Sequence, residues 1–341
     1  MLNVAVVGCG YWGPNLIRNF GSLPDCRVKY ICDINTDRLA HIKKLNPGAE
    51  TTSRFDDIVN DPGVDAVAVA TPVCLHYEMA KACLQAGKHT LIEKPMANSV
   101  RECEELIELA KSHNLTLMVG HTFVFSTPVR KIKEIIASGE LGEIQYINSR
   151  RLNLGLFQKD INVAWDLAPH DISIILYVLN ESPVSVNCQG KSHVTDGIED
   201  VTNMTLNFTN GVFATIQSSW LDPSKVRETM FVGKKKMLVY DDLEPIEKIK
   251  IYDKRVELPP HYDTFAEFQY SYHYGGMYAP FLKLVEPLKV ECEHFLSCIK
   301  NGRESESGGM EGLRVVQVLE AATSSLQNGG GKVEIAKSLA L

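Results

Sequence analysis

The first third of the chain alternates short apolar runs with stretches whose apolar positions recur every three or four residues. The recurring positions predict amphipathic helices between the runs. A strand that is apolar nearly throughout is typical of a parallel sheet covered on both faces. This alternation predicts a doubly wound parallel sheet, the Rossmann architecture. The apolar runs predict strands at 4–7, 27–32, 50–52, 64–70, 89–92 and 115–120.

The pattern changes beyond residue 122. Period-two alternation and turns such as Thr209-Asn210-Gly211 predict an open, largely antiparallel sheet, with helices near 128–138, 167–180, 288–301 and 309–326. We therefore expect a Rossmann domain at 1–121 and an α+β domain for substrate binding and oligomerisation at 122–341. The strands of the second domain are predicted near 143–153, 183–193, 199–208, 211–219, 225–233 and 236–240.

Composition excludes some partners. The chain has 341 residues and a formal net charge of -7, so it has no broad attraction to nucleic acid or to a membrane surface. Its nine cysteines include no CxxC pair, which favours reduced thiols. The sequence shows no basic leader and no apolar run of about 20 residues. We expect a cytoplasmic protein without nucleic-acid or membrane partners.

A glycine loop follows the first predicted strand, in the segment Gly8-Cys9-Gly10-Tyr11-Trp12-Gly13. Gly8 suits a tight turn, Gly10 lets a pyrophosphate approach the backbone, and Gly13 lets helix and strand pack closely. Asp33 ends the next strand, at the spacing where a carboxylate binds the ribose hydroxyls of a dinucleotide. Its charge favours NAD, although Arg38 leaves NADP open.

Two further strand ends carry polar residues. Thr71-Pro72 follows strand 64–70 and precedes a helix that begins near His76, so it either contacts the cofactor or forms a plain turn. Glu93-Lys94-Pro95 follows strand 89–92. Ligands of open parallel sheets bind outside the carboxyl ends of the strands. Lys94 is therefore a candidate for polarising a substrate oxygen.

Asp166 and His170 are four residues apart at the start of a predicted helix, so they share one face. A carboxylate that fixes the tautomer of an imidazole is a common way to make a general base. The alternative is an acidic residue favoured by the helix dipole beside a structural histidine.

Together these residues resemble the Gfo/Idh/MocA family, the relatives of glucose-fructose oxidoreductase and inositol dehydrogenase. The resemblance extends over essentially the whole chain. It rests on the glycine loop, Asp33, Ala70-Thr71-Pro72, Glu93-Lys94-Pro95, Gly120-His121 and Asp166-x-x-x-His170.

The resemblance implies an NAD(P)-dependent dehydrogenase or reductase that acts on sugar-like CH–OH groups, with Lys94 and His170 at the reacting carbinol and Asp166 supporting the histidine. It also implies a cis Lys94-Pro95 bond and a homodimer or homotetramer formed through the second sheet. Two departures are Asn162-Val163-Ala164-Trp165, where many members carry glycines, and Pro169 before His170.

The resemblance implies cofactor-binding and substrate-binding positions as well. The opening Gly-Tyr-Trp-Gly-Pro-Asn and the segment Trp-Asp-Leu-Ala-Pro-His favour the branch that acts on C3 of UDP-N-acetylhexosamines. Cationic and amide side chains before the helix either meet a substrate diphosphate or form a solvated strand edge. The cofactor set is Gly8, Gly10, Tyr11, Trp12, Gly13, Asp33, Thr71, Pro72, His76, Glu93 and Lys94, and the substrate set is His121, Arg151, Asn153, Asn162 and Trp165.

Three alternative functions stay open from the sequence. They are an inositol or free-sugar dehydrogenase, a glycosidase of the same family that uses NAD transiently, and a non-enzymatic NAD-binding regulator. We expect no metal, because His294 and Cys298 share a helix face without a second ligand pair. The tyrosine-rich segment 261–278 suits either a substrate base or an oligomer interface.

Overall fold

The computed structural model describes residues 1–257 and 271–336. The chain divides into two compact units. The first contains Met1–Ser126 and Val285–Glu320, and the second contains Thr127–Leu284 and Ala321–Leu341. The first unit thus includes a stretch from the end of the chain in addition to the predicted Rossmann segment.

The first unit is built on a six-stranded parallel sheet with the strand order β3-β2-β1-β4-β5-β6. This confirms the predicted Rossmann architecture. Its strands are β1 (Leu2–Val7), β2 (Cys26–Cys32), β3 (Glu50–Thr52), β4 (Ala66–Val69), β5 (His89–Glu93) and β6 (Leu117–Gly120). Its helices are α1 (Gly13–Gly21), α2 (Thr36–Leu45), α3 (Asp56–Val59), α4 (His76–Gln85), α5 (Val100–Ser112), α8 (Pro287–Asn301) and α9 (Gly309–Gln327) as far as Glu320.

Local sequence explains these elements. Every residue of β4 is buried, as its apolar run predicts for a strand covered on both faces. Asn35 caps α2 by accepting hydrogen bonds from two backbone N–H groups, and Ser99 caps α5 by accepting one from Glu102 N. Pro14 lies in the first turn of α1, where its missing N–H group leaves no hydrogen bond unmade.

The helix α8 packs against α1 within the first unit. Arg18 of α1 donates two hydrogen bonds to the carboxylate of Glu286, which immediately precedes α8. The backbone N–H of Val119 in β6 donates to Ser307 O, so the segment between α8 and α9 also joins the sheet edge. These contacts bring side chains of the last sixty residues to the first sheet.

The second unit has a mixed, mostly antiparallel sheet, as predicted, but the sheet has nine described strands where the sequence pattern predicts six. Their order is β14-β13-β12-β11-β7-β10-β9-β8-β15. Only β7 and β10 pair in parallel among its described strands. The helices α6 (Thr127–Ala137) and α7 (Val163–Leu179) belong to this unit. The strands are β7 (Ile144–Leu154), β8 (Ser185–Lys191), β9 (Val201–Asn207), β10 (Phe213–Ser219), β11 (Leu221–Gly233), β12 (Met237–Asp241), β13 (Ile249–Glu257), β14 (Ser271–Tyr278) and β15 (Val333–Glu334).

Two further details of this unit differ from the prediction. The helix α7 begins at Val163 rather than near 167, because the Asn162 side chain accepts a hydrogen bond from Trp165 N and caps it earlier. Part of the tyrosine-rich segment is strand β14, which pairs with β13. His261, Tyr262 and Tyr270 lie outside the described residues.

Across residues 1–257 and 271–336, every helix is too short or too polar to cross a lipid bilayer.

Candidate active site

The glycine loop between β1 and α1 has the close backbone contacts that its sequence predicts. A Cβ atom at Gly8, whose φ is +96°, would lie 2.3 Å from the carbonyl oxygen of Ala70. A Cβ atom at Gly13 would lie 1.8 Å from the oxygen of Gly8, whereas one at Gly10 would meet no atom within 4 Å. Gly8 and Gly13 therefore allow the close backbone contacts of the loop, and the space beside Gly10 is open.

Asp33 links the loop to the end of β2. Its Oδ2 atom accepts a hydrogen bond from Cys9 N at 2.6 Å, and its Oδ1 atom accepts one from Asn35 N at 2.7 Å. The side chain is buried, and Arg38 Nη1 lies 4.0 Å from Oδ2. Each carboxylate oxygen has a second lone pair, so the fixed group can still accept hydrogen bonds from ribose hydroxyls.

The aromatic pair of the loop has one exposed and one less exposed member. Tyr11 is 90% exposed and stacks on Trp12 with 6.5 Å between ring centroids. Trp12 precedes α1 and supplies no side-chain hydrogen bond to its first turn. The open side of Gly10, the first turn of α1 and the carboxylate of Asp33 fit the phosphates and ribose of NAD.

His76 connects two strand ends. Its Nδ1 atom lies 2.8 Å from Pro95 O and its Nε2 atom 2.8 Å from Thr71 O. Burial lowers the pKa of His76, and a neutral ring donates through only one of these nitrogens. Thr71 and Pro72 therefore lie where predicted, at the carboxyl end of β4, held to the turn after β5 by this histidine. Their contacts with a cofactor stay predictions.

Lys94 follows β5 directly, and the Lys94-Pro95 peptide bond is cis, as the resemblance implies. The backbone N–H of Lys94 lies 3.4 Å from Oε2 of Glu93. The positive charge of Lys94 lowers the pKa of Glu93, although burial raises that pKa more strongly. The half-buried lysine thus has a carboxyl group next to it at the edge of the sheet where ligands of this fold bind.

His121 follows β6 and is 1% exposed. Burial, and then the charge of Lys94, lower the pKa of His121 to about 3, so the ring is neutral. Among the described residues, neither ring nitrogen has a hydrogen-bond partner. The predicted contact of His121 with substrate stays a prediction.

Asp166 and His170 lie one turn apart on α7 in the second unit. Asp166 Oδ2 accepts a hydrogen bond from Nε1 of Trp220 at 3.0 Å, and Trp220 is 1% exposed. The Ser173 hydroxyl donates to the backbone oxygen of His170. The Trp220 contact is one that sequence reasoning missed, because the two residues are 54 positions apart. The predicted hydrogen bond between Asp166 and His170 stays a prediction.

The predicted substrate residues of the second unit also have partners inside that unit. Arg151 is 6% exposed and donates two hydrogen bonds to Asp171, at 2.6 and 3.1 Å. Trp165 Nε1 donates to the Thr323 hydroxyl at 2.9 Å, and Asn162 Nδ2 donates to Glu199. These bonds give the side chains structural roles, and their contacts with substrate stay predictions. Asn153 is half-buried on β7.

Glu291 on α8 is a buried acid to which the sequence analysis gave no role. Its side chain is 0% exposed. Burial, and then the charge of Glu93, raise the pKa of Glu291 well above its usual range. The signal available in the sequence is its position: Leu288, three residues before, and Phe295, four residues after, are both buried apolar residues of the same helix.

Comparison with known proteins follows the same two-part division. A family model described as "Oxidoreductase family, NAD-binding Rossmann fold" (GFO_IDH_MocA) matches residues 2–121. A second model, the GFO/IDH/MocA C-terminal domain, matches residues 129–239. Together they span more than half of the chain.

Several relatives match this chain at modest identity. The oxidoreductase YrbE of Bacillus subtilis (strain 168) is 26% identical over 95% of this chain and 94% of that protein. UDP-N-acetylglucosamine 3-dehydrogenase of Acidithiobacillus ferrooxidans is 27% identical over 96% of this chain and 99% of that protein. The solved structure of that enzyme, GnnA, shares the fold with a TM-score of 0.79 at 23% identity, covering 97% of this chain and 99% of that one.

Proposed function

This chain belongs to the Gfo/Idh/MocA oxidoreductase family, and from that premise we propose that it transfers a hydride between NAD and a ring carbinol of a sugar nucleotide. The carbon at C3 of a UDP-N-acetylhexosamine is the preferred position. The family assignment supports a sugar or polyol dehydrogenase acting on CH–OH.

The cofactor residues are those around the glycine loop. NAD, when bound, supplies or accepts the hydride. Gly10 leaves room for its pyrophosphate, and Asp33, fixed by Cys9 N and Asn35 N, accepts hydrogen bonds from its ribose. The negative charge of Asp33 disfavours the 2′-phosphate of NADP, while Arg38 at 4.0 Å weakens that discrimination.

Two side chains carry the remaining chemistry in this proposal. Lys94 donates a hydrogen bond to the substrate oxygen and stabilises the negative charge that develops on it. His170 takes up or delivers the hydroxyl proton, because histidine is the side chain that acts most often as a general acid or base. Asp166 supports His170 and is itself held by Trp220.

The observation that carries the choice of substrate is the extent of one match. The UDP-N-acetylglucosamine 3-dehydrogenase aligns over 96% of this chain and 99% of its own length. The scyllo-inositol 2-dehydrogenase IolW of Bacillus subtilis (strain 168) is more similar locally, at 33% identity, but it aligns over only 48% of this chain. A match that includes the second unit bears on substrate choice, whereas a match over about half the chain bears mainly on the cofactor domain.

A substrate panel tests the proposal. Purified protein is incubated with NAD and UDP-sugars, inositols or free aldoses, NADH is followed by absorbance, and products are identified by mass spectrometry. We expect NADH formation with a UDP-N-acetylhexosamine and a product two mass units lighter. Oxidation of an inositol or aldose alone would assign the chain to the alternative dehydrogenases, and sugar cleavage without net NADH would assign it to the glycosidases. Binding of NAD with no turnover of any panel member would favour a regulator.

We also propose that the second sheet forms a homodimer or homotetramer. Strands β13 and β14 expose large side chains at one end of that sheet, including Val256, Tyr272, Tyr274 and Met277. Mass measurement by light scattering tests this, and a monomer at micromolar concentration would contradict it.

A further inference from the structure

A cluster of buried polar side chains surrounds the carboxyl end of β5 in the first unit. Trp12, Glu93, His121 and Glu291 each have a buried nitrogen or oxygen atom without a hydrogen-bond partner among the described residues. Buried polar atoms are almost always paired, and Trp12 lies close enough to Glu93 to lower the pKa of its carboxyl group, so these side chains belong to one cluster. They are linked electrostatically: Glu93 acts on Glu291, and Lys94 acts on both Glu93 and His121.

Glu291 is the more deeply buried of the two acids in this cluster. It lies on the buried face of α8 with 0% of its surface exposed. Neither carboxyl oxygen has a hydrogen bond of good geometry with a described residue, although the Thr122 side chain is close enough to lower its pKa. Its polar neighbours are Glu93 and the side chain of Thr122. A carboxylate at this position is shielded from water, and the charged group that acts on it is another acid rather than a cation. Both effects favour its protonated form.

The titratable groups near this region lie on α1, after β5 and on α8 itself, while Thr122–Phe125, which also packs against α8, contains none. On α1, Arg18 is bound to Glu286. Next to β5, Lys94 is the cation that acts on Glu93. On α8 itself, Cys292 remains a neutral thiol, because burial and then Glu291 raise its pKa well above the usual range. Lys94 is thus the cation that lowers the pKa of Glu93, whereas the charge that acts on Glu291 is the negative charge of Glu93.

We propose that Glu291 is a positioning residue held in its protonated form, so that it adds no second negative charge next to Glu93. The proposal rests on the proposed function for its catalytic meaning. Two adjacent buried acids bind their protons as a pair, and retention of one proton leaves one negative charge opposite one positive charge. Ionisation of Glu291 would add a second negative charge and change the electrostatic surroundings in which Lys94 holds the substrate oxygen.

Unfolding measured against pH tests the protonation state without any substrate. The pKa of Glu291 is higher in the folded state than in the unfolded chain. The unfolding free energy of the wild type therefore decreases as pH rises from the unfolded pKa of about 4.3 toward the folded pKa. Glu291→Gln mimics the neutral acid and removes that decrease. We expect equal Tm values for variant and wild type at about pH 4.5, and a variant Tm higher by about 3 °C or more at about pH 8.5.

Glu293→Gln is the matched control, because it makes the same substitution at an exposed position of the same helix, where the acid ionises normally in water. A Tm difference for Glu291→Gln that is as flat with pH as that of the control would overturn the proposal. If Glu291→Gln does not fold, Glu291→Met, which is also neutral and similar in volume, replaces it. Failure of both neutral variants to fold would also overturn it, because a neutral side chain would then not replace Glu291.

The pH dependence of kcat tests positioning. We expect Glu291→Gln to keep wild-type kcat at about pH 7, where both carry a neutral side chain, and the alkaline decline to begin at lower pH in wild type than in the variant. Identical profiles would refute a positioning role. If wild type turns over no panel substrate, the proposed function fails, yet the unfolding measurement and a titration of NAD affinity against pH still decide whether Glu291 carries a proton.

Discussion

The carboxyl group of Glu93 lies against the Cα atom of Gly120, its partner on the neighbouring strand β6. A Cβ atom at position 120 would be 3.0 Å from Oε2 and 3.1 Å from Cδ of Glu93. Glycine at this position thus lets the acid fold over the end of the sheet, next to Lys94. The contact explains why a small residue ends β6 just before His121.

Gly120→Ala should therefore displace Glu93. We expect the variant to lose about 1–3 kcal/mol of unfolding free energy through overpacking and to show a lower kcat, because the acid beside Lys94 moves. Denaturant unfolding and steady-state kinetics measure the two effects. Gly48→Ala is the control, since a Cβ atom there meets nothing within 4 Å. Wild-type stability and kcat in Gly120→Ala would contradict the prediction.

The second and third glycines of the loop, Gly10 and Gly13, should respond differently to alanine. Gly13→Ala places a Cβ atom 1.8 Å from Gly8 O, so the loop must deform, and we expect a loss of about 3 kcal/mol in unfolding free energy. Gly10→Ala meets no protein atom within 4 Å and should fold normally. Its methyl group occupies the space proposed for the pyrophosphate, so NAD affinity should fall about tenfold or more. Calorimetric titration compares the two, and unchanged NAD affinity in Gly10→Ala would place the phosphates elsewhere.

Asp33→Asn should shift cofactor preference. The substitution removes the negative charge and leaves one oxygen for the N–H groups of Cys9 and Asn35, so NAD affinity should fall. NADP affinity should fall less or rise, because Arg38, 4.0 Å from the carboxylate of Asp33, remains available to a 2′-phosphate. We expect the ratio of the two Kd values to move about tenfold toward NADP. Asp37→Asn, at an exposed position, is the control, and an unchanged ratio in Asp33→Asn would argue against contact with the ribose.

Much of the first unit was predictable because its determinants are local. The apolar run of β4 and the spacing of Gly8, Gly13 and Asp33 lie within short segments, so their pattern predicts both strands and cofactor loop. The remainder depends on contacts between distant segments. Glu291 approaches Glu93 across about two hundred residues, and no local pattern reports that approach.

The start of α7 shows the same limit at short range. Hydrophobic periodicity predicts a beginning near 167, but the hydrogen bond from Trp165 N to the Asn162 side chain extends the helix to Val163. Side-chain capping competes with the apolar pattern in setting a helix end, and periodicity alone does not contain that information.

Lys94→Ala and His170→Ala should each lower kcat by about 10²–10⁴-fold while leaving NAD affinity largely unchanged. The loss arises because the substrate oxygen loses its donor in the first variant and its proton partner in the second. Lys111→Ala and His113→Ala, both at exposed positions, are matched controls. Normal turnover in both Lys94→Ala and His170→Ala would refute the proposed mechanism.

Trp220→Phe should separate support of Asp166 from the fold of the second unit. The phenyl ring retains most of the buried volume but removes the N–H group that donates to Asp166 Oδ2 at 3.0 Å. Loss of one hydrogen bond to a charged group should cost about 1.5–3 kcal/mol of unfolding free energy.

If Asp166 supports His170 as proposed, Trp220→Phe should also lower kcat by about tenfold, with little change in NAD affinity. Tyr240→Phe is the control, because it removes the hydroxyl that donates to Asp242 from another buried aromatic residue of the same unit. A comparable loss of stability in both variants with a fall in kcat only for Trp220→Phe would connect the indole to catalysis. Equal kcat values in the two variants would mean that Trp220 holds Asp166 for stability alone.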